Sequence, residues 1–152
     1  MRSLFGVAVV LAAGVALAQD KKDDKKPAKL EGTYLLAEME IGGEKLPADL
    51  FAKAPEAERT IKITADKLIS AKKGKDDAVS YKVDASKTPA QIDIVEKTEG
   101  GKDQKLYGIY KLDGDTLTIC AVESDKPDDR PKEFKTSKDS KAMLMVLKKK
   151  DK

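Results

Sequence analysis

The sequence contains no histidine, tryptophan or asparagine, and its single cysteine is Cys120. Without histidine, the chain lacks the commonest general base, the commonest transition-metal ligand, and every nucleophile that histidine activates. Without asparagine it has no acceptor for N-linked glycans, and one cysteine cannot form a disulfide within the chain. These absences predict a protein that is not an enzyme, holds no metal or cofactor, and depends on its hydrophobic core for stability. We interpret Cys120 as a small apolar residue.

Charged residues of both signs are abundant and mixed along the chain. There are 30 basic and 27 acidic residues, which gives a net charge of +3. Nearly all the bases are lysines, and beyond residue 18 arginine occurs only at positions 59 and 130. Proteins that bind nucleic acids cluster their basic residues on one face and favour arginine for phosphate contacts. The mixed pattern predicts a solvated surface and no nucleic-acid partner.

The N-terminus has the three parts of a secretory signal peptide. Arg2 supplies positive charge, residues 4–17 are apolar apart from two glycines, and Ala16-Leu17-Ala18 matches an A-x-A cleavage site. The apolar run is shorter than the roughly 20 residues of a membrane-spanning helix, so we expect no stable membrane insertion after cleavage. The sequence predicts a signal peptide at residues 1–18 and an exported protein in the periplasm, the cell envelope or the medium.

The rest of the chain is predicted to be one domain with charged ends. Residues 19–29 alternate blocks of Lys and Asp without apolar periodicity, which is typical of a disordered charged linker. Residues 150–152 form a basic tail. Residues 30–149 are long enough to bury a substantial core and form the predicted domain.

From Thr60 onward, short runs of alternating apolar and polar residues are separated by turn signals. This period of two is typical of β-strands with one buried face. Many short, evenly spaced strands with hairpin-length connections predict an all-β protein. We expect an up-and-down barrel of about eight strands, because closure removes exposed strand edges and such a barrel holds side chains or one small ligand.

One short helix is predicted after the first strand. Pro47 suits the first position of a helix, residues 48–53 favour helix, and Pro55 should interrupt it. We expect this helix to cover an opening of the barrel with one of three apolar side chains: Leu46, Leu50 or Phe51.

The clearest motif is a hairpin between Leu106 and Ala121. Asp113-Gly114 lies between two alternating runs and is the strongest short hairpin signal. With these two residues in the turn, Tyr110 is expected opposite Leu117. The face expected to meet the core carries Leu106, Gly108, Tyr110, Leu112, Leu117, Ile119 and Ala121. The face expected to be mostly solvated, apart from Ile109, carries Tyr107, Ile109, Lys111, Thr116, Thr118 and Cys120. A short edge strand is expected at 133–135.

The interior of the predicted barrel supplies the candidate binding residues. The expected inward residues are Tyr34, Leu36, Ile61, Ile63, Val79, Tyr81, Val83, Ile92, Ile94, Tyr110, Leu117, Ile119 and Met145. The hydroxyls of Tyr34, Tyr81 and Tyr110, with Phe51 over the opening, are the candidate ligand contacts, since small-ligand sites combine apolar walls with a few polar groups. The alternative is that the three tyrosines only fill the core.

Several segments resemble a lipocalin-like domain family found in exported proteins of planctomycete bacteria, whose function is unknown. The similar segments are Gly32-Thr33-Tyr34, Leu46-Pro47-Ala48, residues 87–93, residues 108–117 and Cys120. Gly-Thr-Tyr is similar to the Gly-x-Trp start of lipocalins, with tyrosine in place of tryptophan. The resemblance spans roughly residues 30–149. It implies a barrel and export, and it implies no catalytic residues.

Two functions from different classes follow from these patterns. The first is an exported, non-enzymatic binding module that holds a small apolar or amphipathic ligand in the barrel. The alternative is a protein-interaction or envelope-structural module with a packed barrel, a protein partner and no ligand. This alternative predicts an exposed apolar patch around Tyr107 and Ile109.

Overall fold

A closed antiparallel β-barrel forms the body of the protein. The computed structural model describes residues 29–72 and 74–151, and in these residues nine strands form one sheet. The strands are β1 (Gly32–Ile41), β2 (Glu44–Lys45), β3 (Thr60–Ile63), β4 (Lys67–Lys72), β5 (Lys75–Asp84), β6 (Ala90–Lys97), β7 (Asp103–Asp113), β8 (Thr116–Glu123) and β9 (Ala142–Lys149). The helices are α1 (Ala48–Lys53), α2 (Glu56–Arg59) and one 3₁₀ turn (Pro127–Asp129).

The barrel closes where β9 pairs with β1. Each strand from β3 to β8 pairs with the next along the chain, and β3 also pairs with β1. The last strand, β9, pairs with β1 from Tyr34 opposite Lys149 to Ile41 opposite Met143. The short strand β2 extends the sheet from the end of β1. The prediction of an all-β, up-and-down barrel of about eight strands is confirmed. Closure gives every long strand a neighbour on both sides along at least part of its length, so no long strand forms a free edge of the sheet.

The two ends of the barrel differ in what surrounds them. At one end lie the start of β1 and the connections β3–β4, β5–β6 and β7–β8. At the other lie the end of β1, the short strand β2 and the connections β4–β5, β6–β7 and β8–β9. We call the first the tyrosine end, because its three buried tyrosines, Tyr34, Tyr81 and Tyr110, form the candidate site described below.

The interior is filled by the alternating apolar residues of all the long strands. The buried cluster consists of Leu30, Tyr34, Ile63, Leu68, Tyr81, Ile92, Ile94, Tyr110, Leu117, Ile119, Ala121 and Leu147. Leu36, Ile61, Val79 and Met145 pack against it while partly buried. Among the predicted inward residues, Val83 alone is exposed, at 38%, although it lies opposite the buried Ile92 and shares its face of the sheet. The strand β4 begins at Lys67, opposite Ser80, so Val83 has a paired strand on one side only.

The predicted β7–β8 hairpin is present, but its register differs from the prediction. The central turn residues are Gly114 and Asp115, since Asp113 pairs with Thr116. Tyr110 therefore lies opposite Ile119 and not opposite Leu117. Gly114 has φ of 58°, a conformation that glycine adopts without steric cost. Because the register shift is two residues, each side chain stays on its predicted face, although the predicted turn position was wrong.

Half of the outer face of this hairpin is buried, which contradicts the prediction that it is mostly solvated apart from Ile109. Ile109 and Cys120 are 1% and 0% exposed, and Thr118 is also buried. The covering element is the long β8–β9 connection, residues 124–141, which we call the outer strap. Its Phe134 packs against Ile109, Cys120 and Ala142. Residues 133–135 form no strand, so the predicted edge strand was wrong.

Two prolines shape the segment between β2 and β3. Pro47 precedes α1 and Pro55 precedes α2, so the predicted interruption at Pro55 divides the helical segment into two short helices. Neither helix has a fully buried residue, and Leu50 is 57% exposed. Of the three residues expected to cover an opening of the barrel, Leu50 is therefore excluded, while Leu46 is partly buried. Phe51 is only partly buried, in a helix that lies against β1.

The charged ends of the chain are described only in part. The predicted signal peptide (residues 1–18) and all but the last residue of the predicted linker (residues 19–29) lie outside the described residues. Of the basic tail, Lys150 continues beside β1, where its backbone N–H donates to the Thr33 carbonyl over 2.8 Å. Its ammonium pairs with Glu56 of α2, which ties the end of the barrel domain to the helical segment.

Candidate functional site

Three of the four tyrosines gather inside the barrel at the tyrosine end. Tyr34 comes from β1, Tyr81 from β5 and Tyr110 from β7, and all three belong to the single buried core cluster. Tyr34 is 0% exposed, Tyr81 7% and Tyr110 5%. Alternation along each strand turns these side chains inward, as the sequence predicted. The three phenols bring the polar atoms of their hydroxyls into a core that is otherwise apolar.

The hydroxyls of the cluster differ in their hydrogen bonds. Tyr81 donates to the Thr64 carbonyl over 2.6 Å, and this bond fastens its ring to the β3–β4 turn. The Tyr34 hydroxyl is buried and has no hydrogen-bond partner among the described residues. A buried polar group without a partner is rare in native proteins and often marks a place for water or a ligand. Tyr34 is therefore the most informative residue of the site.

The environment keeps all three phenols protonated. Burial is the main cause that raises the pKa of Tyr34, Tyr81 and Tyr110 above the ordinary value of 10.0. Nearby carboxylates raise these pKa values further, because a phenolate would repel them. These carboxylates are Asp115 for Tyr34, Glu31 and Asp66 for Tyr81, and Asp84 for Tyr110. At neutral pH the cluster therefore offers hydroxyl groups and no phenolate base.

Phe51, the fourth predicted contact residue, is not part of this cluster. It lies in α1, which contacts β1, and it does not belong to the buried core that contains the tyrosines. The structure thus unites three of the four predicted residues. The sequence placed Phe51 correctly in a helix after the first strand, but local helix propensity carries no information on where that helix docks.

Arg130 is a conspicuous residue that our reading of the sequence did not select. It belongs to the outer strap and its side chain is only 12% exposed. Its guanidinium donates to the Ile92 and Gly108 carbonyls over 3.1 and 2.7 Å, and to the Asp93 carboxylate over 2.6 Å. It also lies 5.4 Å from the ring centre of Tyr107. The scarcity of arginine beyond residue 18 was the one available signal.

These contacts make Arg130 an anchor of the strap and not a free cationic site. The two carbonyls belong to paired residues of β6 and β7, so the guanidinium joins two strands and the strap. The planar guanidinium of arginine has several N–H donors in fixed directions, which suits this arrangement better than the ammonium group of lysine. Further along the strap, Thr136 accepts a hydrogen bond from the Gly43 N–H over 2.9 Å and donates to Glu40.

Several clefts lie on the outside of the barrel. The largest of those described, about 770 Å³, is bordered by the β6–β7 connection and the outer strap, and it mixes lysines with acids such as Asp103 and Asp139. A second, of about 430 Å³, lies over β5 to β7 and includes Tyr107. The linings of these two clefts contain neither Tyr34 nor Tyr110. The larger cleft has no tyrosine in its lining, whereas the smaller one includes Tyr81 of the cluster together with the apolar Ile94 and Val95.

The chemistry available to the described residues is narrow. No group of three or more Cys, Asp or Glu side chains in this part of the chain is placed to hold a metal ion. The thiol of Cys120 is buried beneath the strap. It donates a hydrogen bond to the Lys135 carbonyl, with 3.8 Å between the sulfur and the oxygen. Burial raises the pKa of this thiol, with a further contribution from Glu40, which makes Cys120 a poor nucleophile.

The patch predicted by the interaction-module alternative is not found where it was expected. Ile109 is buried beneath the outer strap and Tyr107 lies beside Arg130. The exposed large apolar side chains are instead Ile41, Leu50 and Val83, at 48%, 57% and 38% exposure. Ile41 is the last residue of β1 and Leu50 lies in α1, while Val83 belongs to the tyrosine end.

Comparison with protein-family models, curated proteins and solved structures gave no match. The resemblance to an exported lipocalin-like family therefore stays a prediction from the motifs quoted above. Among residues 29–72 and 74–151, no helix has the length and apolar character needed to cross a membrane.

Proposed function

We propose that this protein is an exported, non-enzymatic binding module that holds a small apolar or amphipathic ligand at the tyrosine end of its barrel. The observation that carries the proposal is the buried hydroxyl of Tyr34, which lacks a hydrogen-bond partner in the described part of the chain. Tyr81 and Tyr110 share its core cluster and supply the remaining polar atoms. Apolar walls with a few polar groups are typical of small-ligand sites.

The energetics of Tyr34 support an occupied site. A buried hydroxyl without a partner costs about 1–3 kcal/mol of stability. Phenylalanine would fill nearly the same volume without that cost. A ligand that hydrogen-bonds to the hydroxyl removes the penalty, so the tyrosine is unfavourable in an empty barrel and favourable in an occupied one.

The non-enzymatic part of the proposal rests on the side chains that are missing or disabled. The sequence contains no histidine. The three inward phenols are held protonated by raised pKa values, and the pKa of the Cys120 thiol is raised as well. Catalytic acids and bases are instead usually tuned toward the working pH.

Export rests on the N-terminal pattern of residues 1–18. The test is to express the full chain in a bacterium with an intact export pathway and to measure the intact mass of the protein in each cell fraction. Export predicts a mature chain that begins at Gln19 and is recovered outside the cytoplasm. A full-length chain retained in the cytoplasm would contradict this part of the proposal.

The ligand is tested by native mass spectrometry of the protein purified from its own source without denaturation. A binding module should carry a small molecule in fixed stoichiometry that is lost on unfolding. Tyr34→Phe should reduce its retention, whereas Tyr107→Phe, which alters a tyrosine on the outer face, serves as the matched control. A ligand-free mass for the native protein, together with no retention of added amphiphiles, would refute the proposal.

The alternative, a protein-interaction or envelope-structural module with a packed barrel, is favoured by a different observation. Ile41 and Leu50 expose about half of their surfaces near the junction of β1, β2 and α1. This alternative predicts that the protein elutes from a native envelope extract in a complex. Replacing both residues by lysine should release the monomer, whereas Val83→Lys at the other end should not.

A further inference from the structure

We infer that the outer cleft over β5, β6 and β7 binds a small organic anion: an apolar ring system that carries a carboxylate. This site is separate from the one proposed at Tyr34 and does not depend on it. The inference follows from the shape of the cleft, from the fixed position of its tyrosine, and from two lysines whose ammonium groups have no partner among the described residues.

The cleft is a depression in the outer face of the barrel. Its outward-facing residues form two rows across the three strands: Ser80, Val95 and Lys105 in one row, and Lys82, Asp93 and Tyr107 in the other. The side chains of Ser80 and Val95 are short, and the longer side chains around them leave a space of about 430 Å³. A volume of this order is typical of sites that hold small molecules.

Arg130 of the outer strap holds one wall of the cleft in place. Its guanidinium lies 5.4 Å from the ring centre of Tyr107 and forms an ion pair with Asp93, the residue opposite Tyr107 on β6. The Arg130 side chain is only 12% exposed and also donates to two strand carbonyls, which restricts its movement. A ligand ring that packs against Tyr107 therefore meets a preorganised surface, and this lowers the entropic cost of binding.

Lys82 and Lys105 give the cleft two unpaired positive charges. Lys82 lies on β5 and Lys105 on β7, at opposite sides of the cleft. Their ammonium groups form no ion pair or hydrogen bond in the part of the chain that the structure describes. Neighbouring strands lie about 4.8 Å apart, so the two lysine backbones are separated by roughly 10–12 Å and both side chains can reach a carboxylate between them.

The two carboxylates of the lining offset this positive charge only in part. Asp93 is neutralised by Arg130 over 2.6 Å. Asp66, in the β3–β4 turn, accepts a hydrogen bond from the Thr64 hydroxyl over 3.3 Å and lies beside β5, where its carbonyl accepts from the Tyr81 N–H. With Arg130 included, three cations meet two carboxylates at the cleft. A ligand carboxylate is therefore favoured, most of all on the Lys105 side, away from Asp66.

The test compares three probes that share a naphthalene ring: 2-naphthoate, 2-naphthamide and 2-naphthylmethylammonium. Each is titrated into the ligand-free, isotope-labelled protein, and the chemical shifts of the backbone amides report both the affinity and the location. We expect 2-naphthoate to shift the amides of Val95 and Tyr107 and to bind about three- to tenfold more tightly than the neutral amide, the factor of one or two exposed ion pairs. Raising the ionic strength from about 0.01 M to about 0.15 M should reduce this preference, because the screening length falls to about 8 Å.

Three variants locate the effect in the cleft. Replacing Lys82 and Lys105 together by glutamine should abolish the preference for 2-naphthoate. The matched control replaces Lys62 and Lys148, two exposed lysines of β3 and β9, by glutamine and should preserve the preference. Asp66→Asn should strengthen the binding of 2-naphthoate, since it removes the nearby carboxylate that repels it.

The remaining outcomes overturn the inference. Equal or tighter binding of the amide or the ammonium probe would do so, and so would a full preference for 2-naphthoate after Lys82 and Lys105 are replaced. Shifts confined to the tyrosine end would also contradict it, while they would support the site proposed around Tyr34. If none of the three probes binds, the inference fails and the proposed function is unaffected.

Discussion

Replacing Tyr34 by phenylalanine should stabilise the ligand-free protein. The change removes one oxygen atom that is buried and has no partner among the described residues, and it keeps the ring that fills the core. Relieving the desolvation penalty of such a hydroxyl is expected to raise the free energy of unfolding by about 1–3 kcal/mol. Stabilisation by a core substitution is unusual, since most mutations destabilise, and this makes the sign of the effect informative.

Tyr81→Phe is the matched control with the opposite expected sign. It removes the same oxygen from a tyrosine of the same cluster, but this hydroxyl donates to the Thr64 carbonyl over 2.6 Å. Losing that hydrogen bond should lower the free energy of unfolding by about 0.5–1.5 kcal/mol. The two variants differ in hydrogen bonding and little in the volume they remove.

The measurement is urea unfolding of both variants and the wild type, each first freed of ligand by refolding. Equal slopes against urea would show that the unfolded states are comparable, so that the midpoints report stability. If Tyr34→Phe destabilises the protein as much as Tyr81→Phe does, the Tyr34 hydroxyl has a partner in solution. The basis for a ligand contact at this residue would then be lost.

Three further predictions concern the packing, the outer strap and the pH dependence. Gly108→Ala should destabilise by about 1–3 kcal/mol, because its Cβ would come 2.7 Å from the Cys120 carbonyl oxygen, while Gly100→Ala, with open space around it, should change urea stability little. Arg130→Ala should cost about 1.5–3 kcal/mol in the same assay, and Arg130→Lys should recover only part of this; full recovery would show that charge alone suffices. Because the three buried phenols have pKa values above 10.0, the unfolded chain loses their protons first, so stability should be fully present below pH 10.0 and fall as pH rises through the raised pKa values; a urea midpoint unchanged across this range would contradict the raised pKa values.

Local alternation was sufficient to predict the barrel and most of its interior. Successive side chains of a strand point to opposite faces whatever the strand pairs with, so Tyr34, Tyr81 and Tyr110 could be placed inside before any pairing was known. The exception, Val83, has the same alternating pattern as Tyr81. Its exposure depends on where the neighbouring strand β4 begins, and that boundary is not encoded near Val83.

The hairpin register and its outer face were harder to predict. Asp113-Gly114 and Gly114-Asp115 are adjacent choices for a two-residue turn, and the pairing to β9 on the other side of β8 helps to decide between them. Apart from Ile109, the outer face was expected to be mostly solvated, because Phe134, which packs over Cys120, is distant along the sequence. Contacts between distant segments leave no periodic signal in either segment.

The sequence by itself determined the strand pattern, the inward side chains, the short helical segment and the chemistries that the chain lacks, because each of these depends on residue type and on neighbours along the chain. The tertiary structure alone decided which β-turn forms, that the outer strap is anchored through Arg130, and that Tyr81 has a hydrogen-bond partner where Tyr34 has none in the described residues. The reason is that a hydroxyl's partner is set by the backbone that packing brings to it, and Thr64 reaches Tyr81 only once β3, β4 and β5 have paired.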